Sequence, residues 1–212
     1  IFAVVTLVSI GEAGKAYVYF QVSRFGTGSK YMEIQPGKET GMEGMMSFLE
    51  STLTRDDIKA ISKLKYVDEA VGYIMKRAKL KFGRNYYDTS FLMGSSYNLP
   101  NIVAHRPVVG RFFSKQEEDQ RKKYVVIGPA IAKELFKSFP PVGEKIKING
   151  VRFTIIGLLE EKGTIFGMDY DSIAYIPLTT AEDLFDTRRI VSIAVNADEE
   201  KHVPLVVSQI KN

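Results

Sequence analysis

GEKIKINGVRFTIIGLLE, residues Gly143 to Glu160, is the most decisive stretch of this chain. Asn149-Gly150 is the dipeptide that best tolerates positive φ at both central positions of a type I′ turn, so it predicts a two-residue β-hairpin. The alternation on either side agrees with that turn. A two-residue loop sets Ile148 opposite Val151 and Ile146 opposite Phe153, with Ile155 continuing the same apolar face. The other face carries Lys147 opposite Arg152, a like-charge pair that has to be solvated.

Working outward, Tyr124-Val125-Val126-Ile127 reads as a buried strand, and Pro129 opens a helical pattern with Ile131, Leu135 and Phe136 on one side. Further upstream, Gly110-Arg111-Phe112-Phe113 leads into Ser114-Lys115-Gln116-Glu117, a Ser-x-x-Glu capping box. Downstream, Ala174 to Leu178 ends a strand and Thr179-Thr180-Ala181-Glu182-Asp183 starts a short helix. Each piece is ordinary by itself. Their order, together with Gly11-Glu12-Ala13-Gly14-Lys15-Ala16 and Tyr31-Met32-Glu33-Ile34-Gln35-Pro36-Gly37 near the start, carries more information.

That ordered set resembles the extracytoplasmic core domain of MacB-like ABC-transporter permeases, the group that includes the FtsX-like and lipoprotein-releasing permeases, over nearly the whole chain. The resemblance implies a non-catalytic domain on the periplasmic or extracellular side of a cell membrane. ATP and Mg would bind a separate ABC ATPase domain or subunit, and no cofactor is expected here. It further implies a second permease copy, flanking membrane helices, an extracytoplasmic adaptor or substrate protein as possible partner, and transmission of movement to the outer domains for export or other mechanical work. Two alternatives stay open: an FtsX-like signalling domain regulating an envelope enzyme or sensor, and a free-standing secreted α/β binding module.

Composition sets bounds around this reading. The chain has 212 residues, 45% apolar and 25% charged, with a formal charge of +4; that length buries one core or two small ones. Lys76, Arg77, Lys79, Lys81 and Arg84 interleave with Ala78, Leu80 and Phe82 as the solvent face of one amphipathic strand does, so nucleic acid is not an expected partner. With no cysteine, disulfides and thiolate metal sites are excluded.

Residues 1–10 are almost wholly apolar, yet a span needs about 20 such residues. The segment begins with Ile rather than Met, as a fragment or a processed product would, and it has neither a basic n-region nor a small-residue cleavage site. From the residues alone, a buried first strand and the last turns of a membrane helix fit equally. The resemblance implies the helix, with Ile1, Phe2, Val4, Val5, Leu7, Val8 and Ile10 as its outer end and Tyr17 and Phe20 on the stalk beyond it.

Elsewhere, Tyr31 to Pro36 reads as a strand, and Thr54 caps a helix with Asp56 and Asp57 in its first turn. Two strands, Ala70 to Phe82 and Tyr86 to Gly94, meet at a Gly83-Arg84-Asn85 turn. Residues 95–107 read as a polar connection, Ile190 to Val195 as a last strand, and Val203, Val206, Val207 and Ile210 as a helix. The fold class is α+β: a porter-like α/β subdomain from residues 26–107 and 188–212, interrupted by a smaller mixed α/β subdomain at 108–187, after a stalk at 1–25.

The sequence offers little chemistry. His105 and His202 stand in polar, loop-like contexts and are expected at the solvated surface. There is no Gly-x-Ser-x-Gly elbow, and Phe25-Gly26-Thr27-Gly28-Ser29-Lys30 lacks the ending and the preceding strand of a phosphate loop. Asp169 and Asp171 offer too few oxygens for Ca²⁺. Glu117-Glu118-Asp119 reads as the acidic first turn of a helix. No catalytic, cofactor or metal residue is expected. Met42, Met45, Met46, Phe48 and Leu49 crowd a connection where polar residues would be usual. Methionine adapts to irregular apolar surfaces, so this segment is the candidate contact for a hydrophobic substrate, a partner subunit or lipid.

Overall fold

Asn149 and Gly150 take φ of 47° and 87°, the left-handed pair a type I′ turn requires. The hairpin they close pairs β6 (Lys145–Ile148) with β7 (Val151–Leu159) in the expected register, Ile148 facing Val151, Lys147 facing Arg152 and Ile146 facing Phe153. The computed structural model describes residues 30–35, 51–137, 140–165 and 168–211.

Before the hairpin come β1 (Tyr31–Ile34), α1 (Arg55–Ile61), β2 (Val67–Phe82), β3 (Asn85–Ser95), α2 (Leu99–Ile102), β4 (Pro107–Gly110), α3 (Lys115–Asp119), β5 (Tyr124–Ile127) and α4 (Pro129–Phe136). After it come β8 (Thr164–Ile165), β9 (Met168–Asp169), β10 (Ile173–Pro177), α5 (Leu178–Phe185), β11 (Ser192–Ala197) and α6 (Val203–Lys211). The expected helix starts are present. Thr54 and Asp57 form a capping box on α1, and Ser114 and Glu117 form another on α3. Residues 95–107, expected to be a polar connection, hold α2, which buries Leu99 and Ile102. The small β8–β9 ribbon was not expected from the sequence.

Among the described residues nine strands make one sheet in the order β1-β11-β2-β3-β10-β5-β7-β4, with β6 paired to both β2 and β7. Because β6 touches both, β2, β3, β10, β5, β7 and β6 form a closed ring of hydrogen-bonded neighbours. Closure removes edges from most of the ring. It also hydrogen-bonds strands of the 108–187 segment to strands outside it, through the parallel β10–β3 pair and the β6–β2 pair. β2 is the spine of this arrangement: 16 residues long, it pairs with β11 near its start and β6 near its end.

The side of the ring that carries Leu80, Leu92, Val125, Ile127, Ile146, Ile148, Phe153 and Ile155 holds the larger core, which takes in Ile131, Leu135 and Phe136 of α4 and Val206 of α6. Burying each such aliphatic or aromatic side chain contributes about 1.5–3 kcal/mol, so this face sets the fold. Helix α5 lies close against β3 because Gly94 has no side chain: a Cβ there would stand 2.1 Å from the Ala181 Cβ. On the opposite side of the sheet a second core gathers Val71, Met93, Leu99, Ile102, Phe113, Val126, Tyr170 and Tyr175.

Candidate coupling site

The first described strand and the last elements of the chain meet at one place. Strand β1 runs antiparallel to β11, with Tyr31 facing Asn196 and Ile34 facing Ile193. Just outside this ladder the Ala197 N–H donates to the Lys30 carbonyl at 3.0 Å, and the Lys30 Nζ donates to the Asp198 carbonyl. Met32 and Ile34 of β1 join the same core as Val203, Val206 and Ile210 of α6. Helix and strand are therefore fixed to the sheet by shared burial, and Gln209 adds a 3.4 Å bond to the Lys65 carbonyl ahead of β2.

A carboxylate ties this corner together. Glu33 of β1 accepts from Tyr31 Oη at 3.1 Å, from Ser192 Oγ of β11 at 2.6 Å and from Tyr73 Oη of β2. One side chain thus links three adjacent strands through donated hydroxyls, which suit an ionised carboxylate as acceptor. Burial, and after it the Glu33 charge, raise the pKa of the Tyr31 and Tyr73 phenols, so both stay protonated donors.

A second charged group joins α1, α3 and α5. Glu182 of α5 is buried, and Arg55 at 3.5 Å and Arg121 at 3.7 Å compensate its charge. Its pKa is raised by burial, with Arg55 and then Arg121 pulling it back. Arg121 also bonds the Thr179 carbonyl at 3.0 Å and Asp183, and the Thr179 hydroxyl donates to the Glu118 carbonyl. Glu118 stands in the acidic first turn of α3, as the sequence predicts. It is buried, its carboxylate accepts the Tyr97 N–H at 2.7 Å, and burial pushes its pKa up to about 7.

His105 corrects the sequence reading. Expected at the surface, it is only 2% exposed. Its ring lies edge-on to Tyr170 and Tyr175, and Nδ1 is 3.2 Å from the Tyr175 hydroxyl. Burial, and then the Lys162 charge, lower its pKa to about 4, so the imidazole is neutral at physiological pH. The connection from α2 to β4 and the turn before β10 bring these groups together, a non-local arrangement that loop polarity conceals. His202 is half-covered rather than freely solvated: it stacks on Tyr66 at 4.0 Å and bonds Asp198 at 2.7 Å.

The remaining acids brace loops. Asp171 accepts the Lys162 and Gly163 N–H groups at 2.8 and 3.0 Å, and Asp169 caps the turn after it. Among the described residues no group of three or more His, Cys, Asp or Glu is placed to hold a metal ion. Ile1, Phe2, Val4, Val5, Leu7, Val8, Ile10, Tyr17 and Phe20, and likewise Met42, Met45, Met46, Phe48 and Leu49, lie outside the described residues. No described helix is long and apolar enough to cross a membrane.

The sequence as a whole, residues 1–212, matches the model of the MacB-like periplasmic core domain. The chain belongs to that family. As a MacB-like periplasmic core domain it is 32% identical over 206 residues to the macrolide export ATP-binding/permease protein MacB of Hyphomonas neptunium, covering 95% of this chain and 31% of that protein. The corresponding MacB of Bdellovibrio bacteriovorus is 29% identical over 208 residues, covering 96% and 31%. The chain thus spans less than a third of the length of these relatives. Among solved structures, the periplasmic region of MacB from Actinobacillus actinomycetemcomitans superposes with a TM-score of 0.73 at 22% identity, covering 90% of this chain and 88% of that one. The extracellular domain of the noncanonic ABC-type transporter YknZ gives 0.68 at 19%, covering 83% and 88%. These two likenesses establish the fold as that of transporter periplasmic and extracellular domains. The mixed α/β architecture expected from the sequence is the one found, and the matched family is that of a periplasmic core domain.

Proposed function

We propose that this domain is the extracytoplasmic part of a dimeric export permease and transmits movement driven by ATP hydrolysis on a fused or separate ABC ATPase. The observation that carries this reading is the β1–β11 ladder, which holds Lys30 beside Ala197 and Asp198. There the described chain enters β1 and leaves β11 at one corner of the sheet, the arrangement in which two struts would share one rigid root. The closed ring supports the reading as well, because a lever has to resist bending along its length.

On this reading residues 1–25 are the end of a membrane helix and its stalk, and the domain lies on the outer side of the cell membrane. Residues 26–107 with 188–212 act as a porter-like lobe and 108–187 as the inserted lobe. Met42, Met45, Met46, Phe48 and Leu49 contact substrate, adaptor or lipid. ATP and Mg bind only the partner ATPase.

The test is to insert flexible Gly-Ser segments on either side of the domain, ahead of Lys30 and after Lys211, in the full-length permease. ATP hydrolysis should persist while export is lost. Export at the level of the parent protein, with both segments in place, would refute transmission through the domain.

A further inference from the structure

The outer side of the strand ring carries basic side chains that the permease reading leaves unused. Lys81 of β2 lies directly opposite Lys147 of β6, and Lys147 lies directly opposite Arg152 of β7. Three cations therefore stand in one row across three strands, spaced by about 5 Å at each step. Lys79 and Lys145 flank the row, two residues along β2 and β6. The strand β3 residues paired with β2 here are Asp88, opposite Lys79, and Tyr86, opposite Lys81.

All five basic residues are exposed. Among the described residues none of them lies within ion-pair distance of a carboxylate, whereas Lys59, Arg111, Lys115 and Arg121 all do. Lys79 lies instead over the Tyr86 ring, 4.6 Å from its centroid, and Tyr86 is itself 58% exposed. The five cations outnumber the one acid, Asp88, that the ladder sets beside them, and Arg77 adds another cation next to Lys79 and Asp88. Like charges directly opposite one another destabilise a sheet, so the row has a standing electrostatic cost that an opposing anion would relieve.

We infer that this face docks an acidic protein segment, a run of Asp and Glu side chains presented by an extracytoplasmic partner. Charge complementarity selects an anion. Position selects a protein over a lipid surface: Lys81 lies fourteen residues along β2 from Val67, about 45 Å from the end where β11 and α6 pack. On the permease reading, which this step assumes, that end adjoins the flanking segments and the basic row is remote from their membrane. The exposed Tyr86 ring supplies the apolar contact beside the charged one.

The probe is a fluorescent peptide of alternating Glu and Ser, titrated by anisotropy against the 212-residue chain at low salt and at about 0.5 M, where screening is nearly complete within a contact distance. Binding should be detectable at low salt and lost at high salt. The combined variant Lys81→Glu, Lys147→Glu, Arg152→Glu should weaken it about ten-fold or more, as loss of three exposed charge pairs requires. Reversing the exposed Lys63 and Lys133 should leave it nearly unchanged. A second measurement reads the row without ligand: Lys147→Gln should raise Tm at low salt, with the difference vanishing at high salt. No binding by the parent chain, equal loss in patch and control variants, or no Tm gain for Lys147→Gln would each overturn the proposal. So would tighter binding to phosphatidylglycerol vesicles than to the peptide. These readouts need no transport, so export that survives the Gly-Ser insertions while peptide binding holds would reject transmission through the domain and leave the docking face standing.

Discussion

Replacing His105 with Gln should make the domain markedly less sensitive to acid. The buried imidazole has its pKa lowered from 6.5 to about 4, chiefly by burial and secondarily by Lys162, against smaller opposing effects of Glu160 and Asp171. A histidine whose pKa falls on folding binds its proton more readily in the unfolded chain. Its contribution is therefore favourable above pH 6.5 and is progressively lost as pH falls toward 4. At about 1.36 kcal/mol per pKa unit, lowering the pH to 4 removes about 3 kcal/mol of stability through this one group. Gln keeps a hydrogen-bonding group within reach of the Tyr175 hydroxyl and does not titrate. Urea unfolding of both proteins at pH 7 and pH 4 reads the effect. The variant should lose stability at pH 7, by about 1–2 kcal/mol for imperfect packing. Between the two pH values, the wild type should lose about 3 kcal/mol more than the variant, a relative midpoint shift of about 1 M urea or more. Carboxylates common to both proteins cancel in the comparison. Parallel pH dependences, with no difference beyond about 0.5 kcal/mol, would refute the burial argument for His105.

Glu118 should behave with the opposite sign. Its pKa is raised from 4.5 to about 7 by burial, so stability is full below pH 4.5 and falls as pH rises through 7; Glu118→Gln should gain relative to wild type by about 2–3 kcal/mol between pH 4.5 and 8, measured by denaturant melts. Gly94→Ala places a Cβ 2.1 Å from that of Ala181 and should cost about 1–3 kcal/mol of overpacking, with Ala181→Gly in the same chain restoring much of it in thermal unfolding. Gly150→Ala has open space around the new methyl but a φ of +87°, so a loss of about 1 kcal/mol with unchanged spectra is expected from backbone strain alone. Arg121→Met removes one of the two arginines in ion-pair distance of the buried Glu182 and should destabilise by about 1–3 kcal/mol, a loss that Glu182→Gln added to Arg121→Met should partly reverse.

The readable parts of this fold were those in which a residue acts on its immediate neighbours. Asn149-Gly150 sets its own backbone, and with it the register of β6 on β7. Ser114 and Thr54 cap the helices they precede. What depends on distant partners was hidden. The β10–β3 and β6–β2 pairings bring together residues far apart along the chain, and no local signal marks them. His105 and Glu118 stand in polar stretches, yet they are buried because Tyr170, Tyr175 and the Tyr97 backbone close over them. The basic row is hidden for the same reason. Along β2 the lysines merely alternate with apolar residues, and the charge becomes concentrated only when β6 and β7 are laid alongside.

The length of β2 sets a mechanical scale. Its 16 residues extend about 50 Å, so a tilt of about 6° at the β11 end becomes about 5 Å of travel at the β6 end. A register irregularity between Lys76 and Ala78 interrupts the β2–β3 ladder partway along, and irregularities of that kind add local bend and twist. The ring closes beyond that irregularity through β6, stiffening the far half of the span. On the proposed reading, a slight rotation at the root of β2 would emerge as a wider displacement at its far end, enough to open or shut a gap between two copies of the domain.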